Sequence, residues 1–137
     1  MEKYPKPLPL ADNDSQAFWE SCKNHAMALQ SCADCKRFRY PPRSLCPHCH
    51  SPQAEWTPVS GKGRVYVTLE MCRSYGPAWE ADVPYNISII ELAEGVKMWS
   101  NVTGCSPQEV RIGDPVALVY DDVTDAVTLP KFRREPS

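Results

Sequence analysis

No run in the 137-residue chain approaches the roughly 18 consecutive apolar residues that a membrane-spanning helix needs. The opening stretch, Met1 to Leu10, also lacks the apolar segment of a secretory signal. A soluble, cytoplasmic protein with no membrane partner is therefore expected. An excess of one charge is missing too: 15 Lys and Arg stand against 17 Asp and Glu, a formal charge of -2. That balance excludes the broad positive field on which non-specific nucleic-acid binding depends. Glycine is scarce, at 6 residues, and forms no clustered loop of the kind that cradles phosphate. No paired carboxylates and no Cys/His nucleophile pattern stand out, so no residue is assigned a catalytic role.

Cysteine and proline are plentiful by contrast, with 7 and 14 residues. Cys32-Ala33-Asp34-Cys35 and Cys46-Pro47-His48-Cys49 are two C-x2-C knuckles ten residues apart. Each knuckle turns the chain so that two sulfurs point at one ion, and the intervening loop brings the pairs together. Cys32, Cys35, Cys46 and Cys49 are the expected metal ligands. A tetrahedral S4 shell suits zinc and also iron; the absence of redox-partner chemistry favours zinc. Two internal disulfides are the competing reading, disfavoured by the missing secretion signal and the odd cysteine count. A closed tetrathiolate has no open coordination position, so the metal is expected to be structural. His48 and His50 are expected to face solvent, and Cys22, Cys72 and Cys105, isolated from one another in sequence, to be small buried hydrophobes rather than nucleophiles. Cys105, at an element boundary, is the thiol to test.

The prolines at 5, 7 and 9 predict an extended arm over the first dozen residues. Residues 14–24 predict a short helix with Phe18 and Cys22 on one face. Alternation before and after the first knuckle predicts a hairpin closed by the metal, the form of a zinc ribbon. Beyond Val59, alternating strands are expected at Val65–Met71, Asn86–Leu92, Val96–Val102, Val116–Tyr120 and Val127–Leu129. The first of these places Val65, Val67, Leu69 and Met71 on one face, and Ala93-Glu94-Gly95 closes a hairpin between the second and third. Ser106-Pro107-Gln108-Glu109 has the pattern of a helix start. The expected fold is mainly β: an arm and helix over 1–29, a zinc ribbon over 30–58, and a five-stranded OB-fold barrel over 59–137. Trp56 and Trp99 are expected in the core or at a domain interface.

From about residue 17 to 133 the chain resembles DUF35, a family joining a rubredoxin-like zinc ribbon to an acyl-CoA-associated OB-fold. The resemblance rests on Phe18-Trp19, the two knuckles, Arg39-Tyr40-Pro41-Pro42-Arg43 and Ser60-Gly61-Lys62-Gly63-Arg64-Val65-Tyr66. It continues through Val83-Pro84-Tyr85, Glu91-Leu92-Ala93-Glu94-Gly95, Arg111-Ile112-Gly113-Asp114-Pro115-Val116 and Leu129-Pro130-Lys131-Phe132-Arg133. It implies a non-catalytic accessory subunit in a hetero-oligomer with a thiolase-superfamily subunit, stabilising that partner and helping to form its CoA and acyl-substrate site.

A shared CoA site needs cations beside an apolar wall. The ribbon is the basic part of the chain, with Lys36, Arg37, Arg39 and Arg43 against Asp34 and Glu55. Arg37, Arg39 and Arg43 are candidate phosphate contacts, as are Lys131 and Arg133 near the C-terminal end; the alternative for each is a solvated surface charge. The loop 72–85 carries Tyr75, Trp79 and Tyr85 and is expected to contact the partner or the acyl group, or to fold Trp79 over the barrel end. Two other functions compete: a single-stranded nucleic-acid-binding OB-fold and zinc ribbon, disfavoured by the acidic OB half, and rubredoxin-like electron transfer.

Overall fold

The computed structural model describes residues 4–136. The expected arm therefore lies partly, at Met1 to Lys3, outside the described residues. From Tyr4 to Asp12 the chain forms no regular element, as its prolines dictate. The Asp12 side chain accepts from the Asp14 and Ser15 N–H groups at 3.0 and 2.8 Å and turns the chain into helix α1, Gln16–Lys23. Its inner face is Phe18 and Cys22, both fully buried. Phe18 meets the rings of Trp19 and Tyr40 edge-on, at centroid distances of 5.0 and 5.7 Å.

The ribbon is a three-stranded antiparallel sheet in the order β2-β1-β3, comprising β1 (Ala28–Cys32), β2 (Phe38–Arg39) and β3 (Ala54–Pro58). The expected hairpin is β1 and β2, with Gln30 opposite Arg39. The added strand β3 runs the full length of β1, from Ala28 opposite Pro58 to Cys32 opposite Ala54. Trp56, on β3, packs against the core as expected. Met27 and Leu29 belong to the same hydrophobic cluster as Phe18, Val65, Ile90 and Phe132, so ribbon, helix and barrel share one core.

The OB part is a six-stranded sheet in the order β6-β5-β4-β8-β9-β7. Its strands are β4 (Lys62–Met71), β5 (Tyr85–Leu92), β6 (Lys97–Ser100), β7 (Val102–Thr103), β8 (Pro115–Asp122) and β9 (Thr128–Arg134). The expected third strand is broken at Asn101: β6 pairs antiparallel with β5, and β7 then pairs parallel with β9. This change of partner closes the barrel. Gly95, at φ +90°, makes the turn between β5 and β6, and Gly63 is needed because a Cβ there would stand 2.6 Å from the Glu91 carbonyl. The expected helix start at Ser106 is a single 3-10 turn, Pro107–Glu109, with the Ser106 side chain accepting from Gln108 N–H.

A buried amide organises the closure. The Asn86 Oδ1 accepts from Val102 N–H and from the Ser88 hydroxyl, each at 2.8 Å, while its Nδ2 donates to Thr68 Oγ1 at 2.8 Å. The Asn101 side chain in turn donates to the Asn86 carbonyl, and the Asn101 carbonyl accepts from Phe132 N–H at 2.9 Å. No buried side-chain polar atom of this group is left without a partner, which is what makes it tolerable inside a barrel.

Two expectations are corrected here. Val65, Val67, Leu69 and Met71 do not share a face, because the register shifts between Val65 and Val67: Val65 opposes Ile90, yet Val67 opposes Ile89. A β-bulge at Tyr66 sends Val65 inward and Val67 and Leu69 outward, with Thr68 turned in. Trp99 is not in the core. Met98 takes the inward position on β6, and strand alternation leaves Trp99 on the outside.

The linker between α1 and β1 is fastened to the barrel. His25, at φ 56°, stacks on Tyr120 with ring centroids 4.6 Å apart and meets the Asp122 carboxylate at 2.9 Å. The Tyr120 hydroxyl accepts from Met27 N–H at 2.8 Å. The Thr128 hydroxyl and His25 hold the Asp122 carboxyl below its ordinary range. A depressed pKa contributes stability above the unfolded value of 3.8, lost as pH falls through the folded value. Asp122→Asn is expected to lower stability at neutral pH and to flatten the acid limb of a stability-against-pH profile. Asn86→Ala, which leaves the Val102 N–H unpaired in the core, is expected to cost about 2–3 kcal/mol in urea unfolding.

Candidate functional site

The two knuckles are near copies in backbone. Lys36 N–H donates to the Cys32 carbonyl at 3.0 Å, and His50 N–H donates to the Cys46 carbonyl at 2.9 Å. Each turn ends on a left-handed residue, Lys36 at φ 67° and His50 at φ 65°. Cys46 N–H reaches the Ser51 carbonyl at 2.9 Å, and the Ser51 hydroxyl donates to Asp34, tying one knuckle to the other.

All four sulfurs lie within 4.8 Å of one another, with Cys32 and Cys49 at 3.5 Å and Cys35 and Cys46 at 3.6 Å. A zinc ion bound at about 2.3 Å by four tetrahedral sulfurs separates them by about 3.8 Å, so the cage fits that ion. A disulfide needs about 2.05 Å, and all seven cysteines are free. The surroundings favour thiolates. Cys35 N–H donates to Cys32 Sγ at 3.4 Å and lowers the Cys32 pKa. Desolvation opposes ionisation of Cys46, but the Cys49 and His48 N–H groups bring it down to about 6. The Ser51 N–H favours the Cys49 thiolate, yet the neighbouring sulfurs outweigh it and push its pKa up to about 12. A bound cation removes that last obstacle. His48 and His50 are exposed, as expected, and Arg37 Nη1 meets His48 Nδ1 at 3.2 Å.

The five cations expected at a CoA site are placed differently from one another. Arg37, Arg43 and Arg133 are exposed. Arg39 is a correction: it is 3% exposed, its Nε donating to Gln30 Oε1 at 3.1 Å and its Nη2 to the Arg43 carbonyl at 3.0 Å. Its strand position on β2 turns it inward, where Nε and Nη2 hold the 40–43 turn and Nη1 is buried without a partner. Lys131 is half-buried and paired with Asp121 at 2.7 Å.

Lys131 also lines an open cleft of about 600 Å³ at the barrel closure, walled by Trp79, Tyr85, Ile87 and Leu129 and floored by Asn101, Thr103 and Cys105. Arg37, Arg43 and Arg133 are not in its lining. Sequence reasoning missed the arm that completes the cleft: Tyr4, Lys6 and Pro7 lie along it, with Lys6 paired to Asp82 of the 72–84 loop. Nothing local in the arm marks that contact. Of the remaining thiols only Cys22 is buried as expected, Cys105 being half-buried and Cys72, just past the end of β4, open to solvent. Burial pushes Cys22 up to about 12, and the Glu70 carboxylate raises Cys72. No helix among the described residues is long and apolar enough to cross a membrane.

Two family models match, a rubredoxin-like zinc ribbon of the ChsH2 type over residues 19–55 and a C-terminal OB-fold of the same type over 56–121. A DUF35 domain-containing scaffold protein of Methanocaldococcus jannaschii is 33% identical, with 77% of each chain covered. The chain belongs to the DUF35 family. A probable enoyl-CoA hydratase alpha subunit of Thermomonospora curvata is 35% identical over 93% of this chain, which spans 40% of that relative's length. The benzoylsuccinyl-CoA thiolase subunit BbsA of Thauera aromatica is 29% identical, over 69% of this DUF35 chain and 62% of the relative. Among solved structures, a chain of the Ltp2-ChsH2(DUF35) aldolase superposes with a TM-score of 0.83 at 34% identity, covering 93% of this chain and 98% of that one.

Removing one ligand leaves a three-sulfur cage with a buried strand end beside it. Cys35→Ser is expected to lower bound zinc well below about one ion per chain and to unfold the ribbon, read by metal analysis and circular dichroism. A folded variant retaining its metal would count against the structural role.

Proposed function

We propose that this chain is an accessory subunit of a thiolase- or aldolase-type enzyme acting on acyl-CoA, located in the cytoplasm, with the catalytic residues on its partner. The observation that carries this reading is the match over 98% of a DUF35 chain that is part of an aldolase assembly. The subunit description of BbsA supports it from the thiolase side.

The side chains agree with a supporting role. Cys22 is sealed, and Cys72 is bonded to a carboxylate that disfavours its thiolate. Zinc holds the ribbon fold and takes no part in chemistry. The cleft at the barrel closure offers an apolar wall and a lysine to the pantetheine arm or acyl group of a CoA ester, and Arg37, Arg43 and Arg133 supply cations for its phosphates. Both contacts are completed by the partner subunit.

The test is affinity capture of the tagged full-length chain from its own cells, followed by mass spectrometry of the bound protein. Recovery of a thiolase-superfamily or aldolase subunit is the expected result, and recovery of nucleic acid in its place would support the single-stranded nucleic-acid reading. The purified chain alone is expected to show no thiolytic cleavage of a 3-oxoacyl-CoA. Thiolysis by the isolated chain, abolished by Cys105→Ala, would refute the accessory role.

A further inference from the structure

The bulge at Tyr66 and the alternation of β6 give the barrel an unusual outer surface. Register aligns Val67, Ile89 and Trp99 in one row across β4, β5 and β6, with Leu69 and Ile87 in the next. Trp99 is 59% exposed, Tyr66 48%, Leu69 42% and Val67 39%. Large apolar side chains exposed singly are ordinary, but four collected on one sheet face mark a contact surface. Among the described residues β6 pairs as a strand only with β5, and its other edge meets β9 at its end, where the Ser100 hydroxyl donates to the Pro130 carbonyl at 2.9 Å. Edge strands are normally blunted by charge or proline. The one charge on β6, Lys97, is instead turned over the Tyr66 ring at 4.4 Å and toward Glu91 at 3.6 Å.

We propose that this outward face of β4, β5 and β6, centred on Trp99, is where the catalytic subunit docks, through an apolar and uncharged patch of its own. The inference rests on the accessory-subunit reading above and adds the surface to it. Charge selects the class of occupant: in the bordering row Lys97 and Glu91 neutralise each other and Arg64 donates to the Gly113 carbonyl, and the apolar rows themselves carry no ionic side chain. A phosphate backbone or a charged peptide finds no cluster of counter-charges there, Arg64 being the one cation of the border that Glu91 does not pair.

Size selects between a second copy and a larger subunit. The four exposed side chains offer on the order of 400 Å² of apolar surface. A stable interface buries about 800 Å² per partner, so two copies of this chain meeting through the patch alone fall short. A larger subunit can continue from the patch onto the 72–84 loop, where Tyr75 is 69% exposed. Ile87 belongs both to this face and to the lining of the cleft. A subunit seated on the face therefore reaches the cleft mouth, and a ligand there touches both chains.

The test compares the full-length wild-type chain with Trp99→Lys, with Val67→Lys/Trp99→Lys, and with Leu10→Lys, an equally non-conservative change at an exposed apolar residue of the arm. Melting temperature and zinc content establish that each variant is folded. Affinity is then measured for the thiolase-superfamily or aldolase subunit recovered with the wild-type chain. A loss of about tenfold or more for both Trp99 variants, with Leu10→Lys near wild type, is the expected result. Unchanged affinity in the double variant, or an equal loss in Leu10→Lys, would overturn the docking face while leaving the accessory role standing. Failure of the wild-type chain to bind any such subunit would remove both. Sedimentation of the wild-type chain alone as a dimer that Trp99→Lys converts to a monomer would assign the face to a second copy and overturn the proposal.

Discussion

Four sulfurs held within 4.8 Å of one another repel as thiolates, and a shared cation turns that repulsion into the strongest tie in the molecule. The ribbon depends on it because its sheet is too small to bury a core of its own. The tie is felt beyond the ribbon through β1. That strand ends on the ligand Cys32, runs in register with β3, and contributes Leu29 to the hydrophobic cluster shared with α1 and the barrel. Metal, ribbon and barrel are in this way parts of one packed unit.

The barrel solves a different problem, the closure of a sheet whose third strand must serve two neighbours. Asn101 breaks that strand, and Asn86 accepts the Val102 N–H that the break would otherwise orphan. Polar side chains do this job inside the barrel because the exchange of partners leaves backbone groups that no apolar residue can satisfy. The cleft lies at this same closure, bounded by β5, the break and β9. A ligand-sized opening where a strand changes partner follows from the geometry, since β5 and β9, its two neighbours, part there.

Much of this was legible in the residues. The knuckles declare themselves because a metal fixes sulfur spacing independently of fold, and Gly95 and Ser106 mark turns through local backbone demands. What stayed hidden has physical reasons. Val65 to Met71 alternates perfectly in sequence, and a bulge inserts one residue without leaving a mark on that pattern. Trp99 looks like core by its chemistry, but parity assigns the interior to Met98. Arg39 looks like its exposed neighbour Arg37 and shares its parity; what separates them is that Arg39 lies in β2 opposite Gln30, whose side chain it meets, while Arg37 precedes the strand. The Lys6 and Asp82 pair and the His25 and Asp122 pair join residues distant in sequence, and distant charge pairs have no signature in a single chain.

The bulge at Tyr66 sets the inner and outer chemistry of the barrel together. With strict alternation, Val67 and Leu69 would fill the interior and the Thr68 hydroxyl would point to water. The slip by one residue brings Thr68 to Asn86, completing the hydrogen bonds that close the barrel, and expels the valine and leucine to the surface. Surface apolarity here is the geometric complement of interior polarity, so neither can be altered by shifting register without inverting the other.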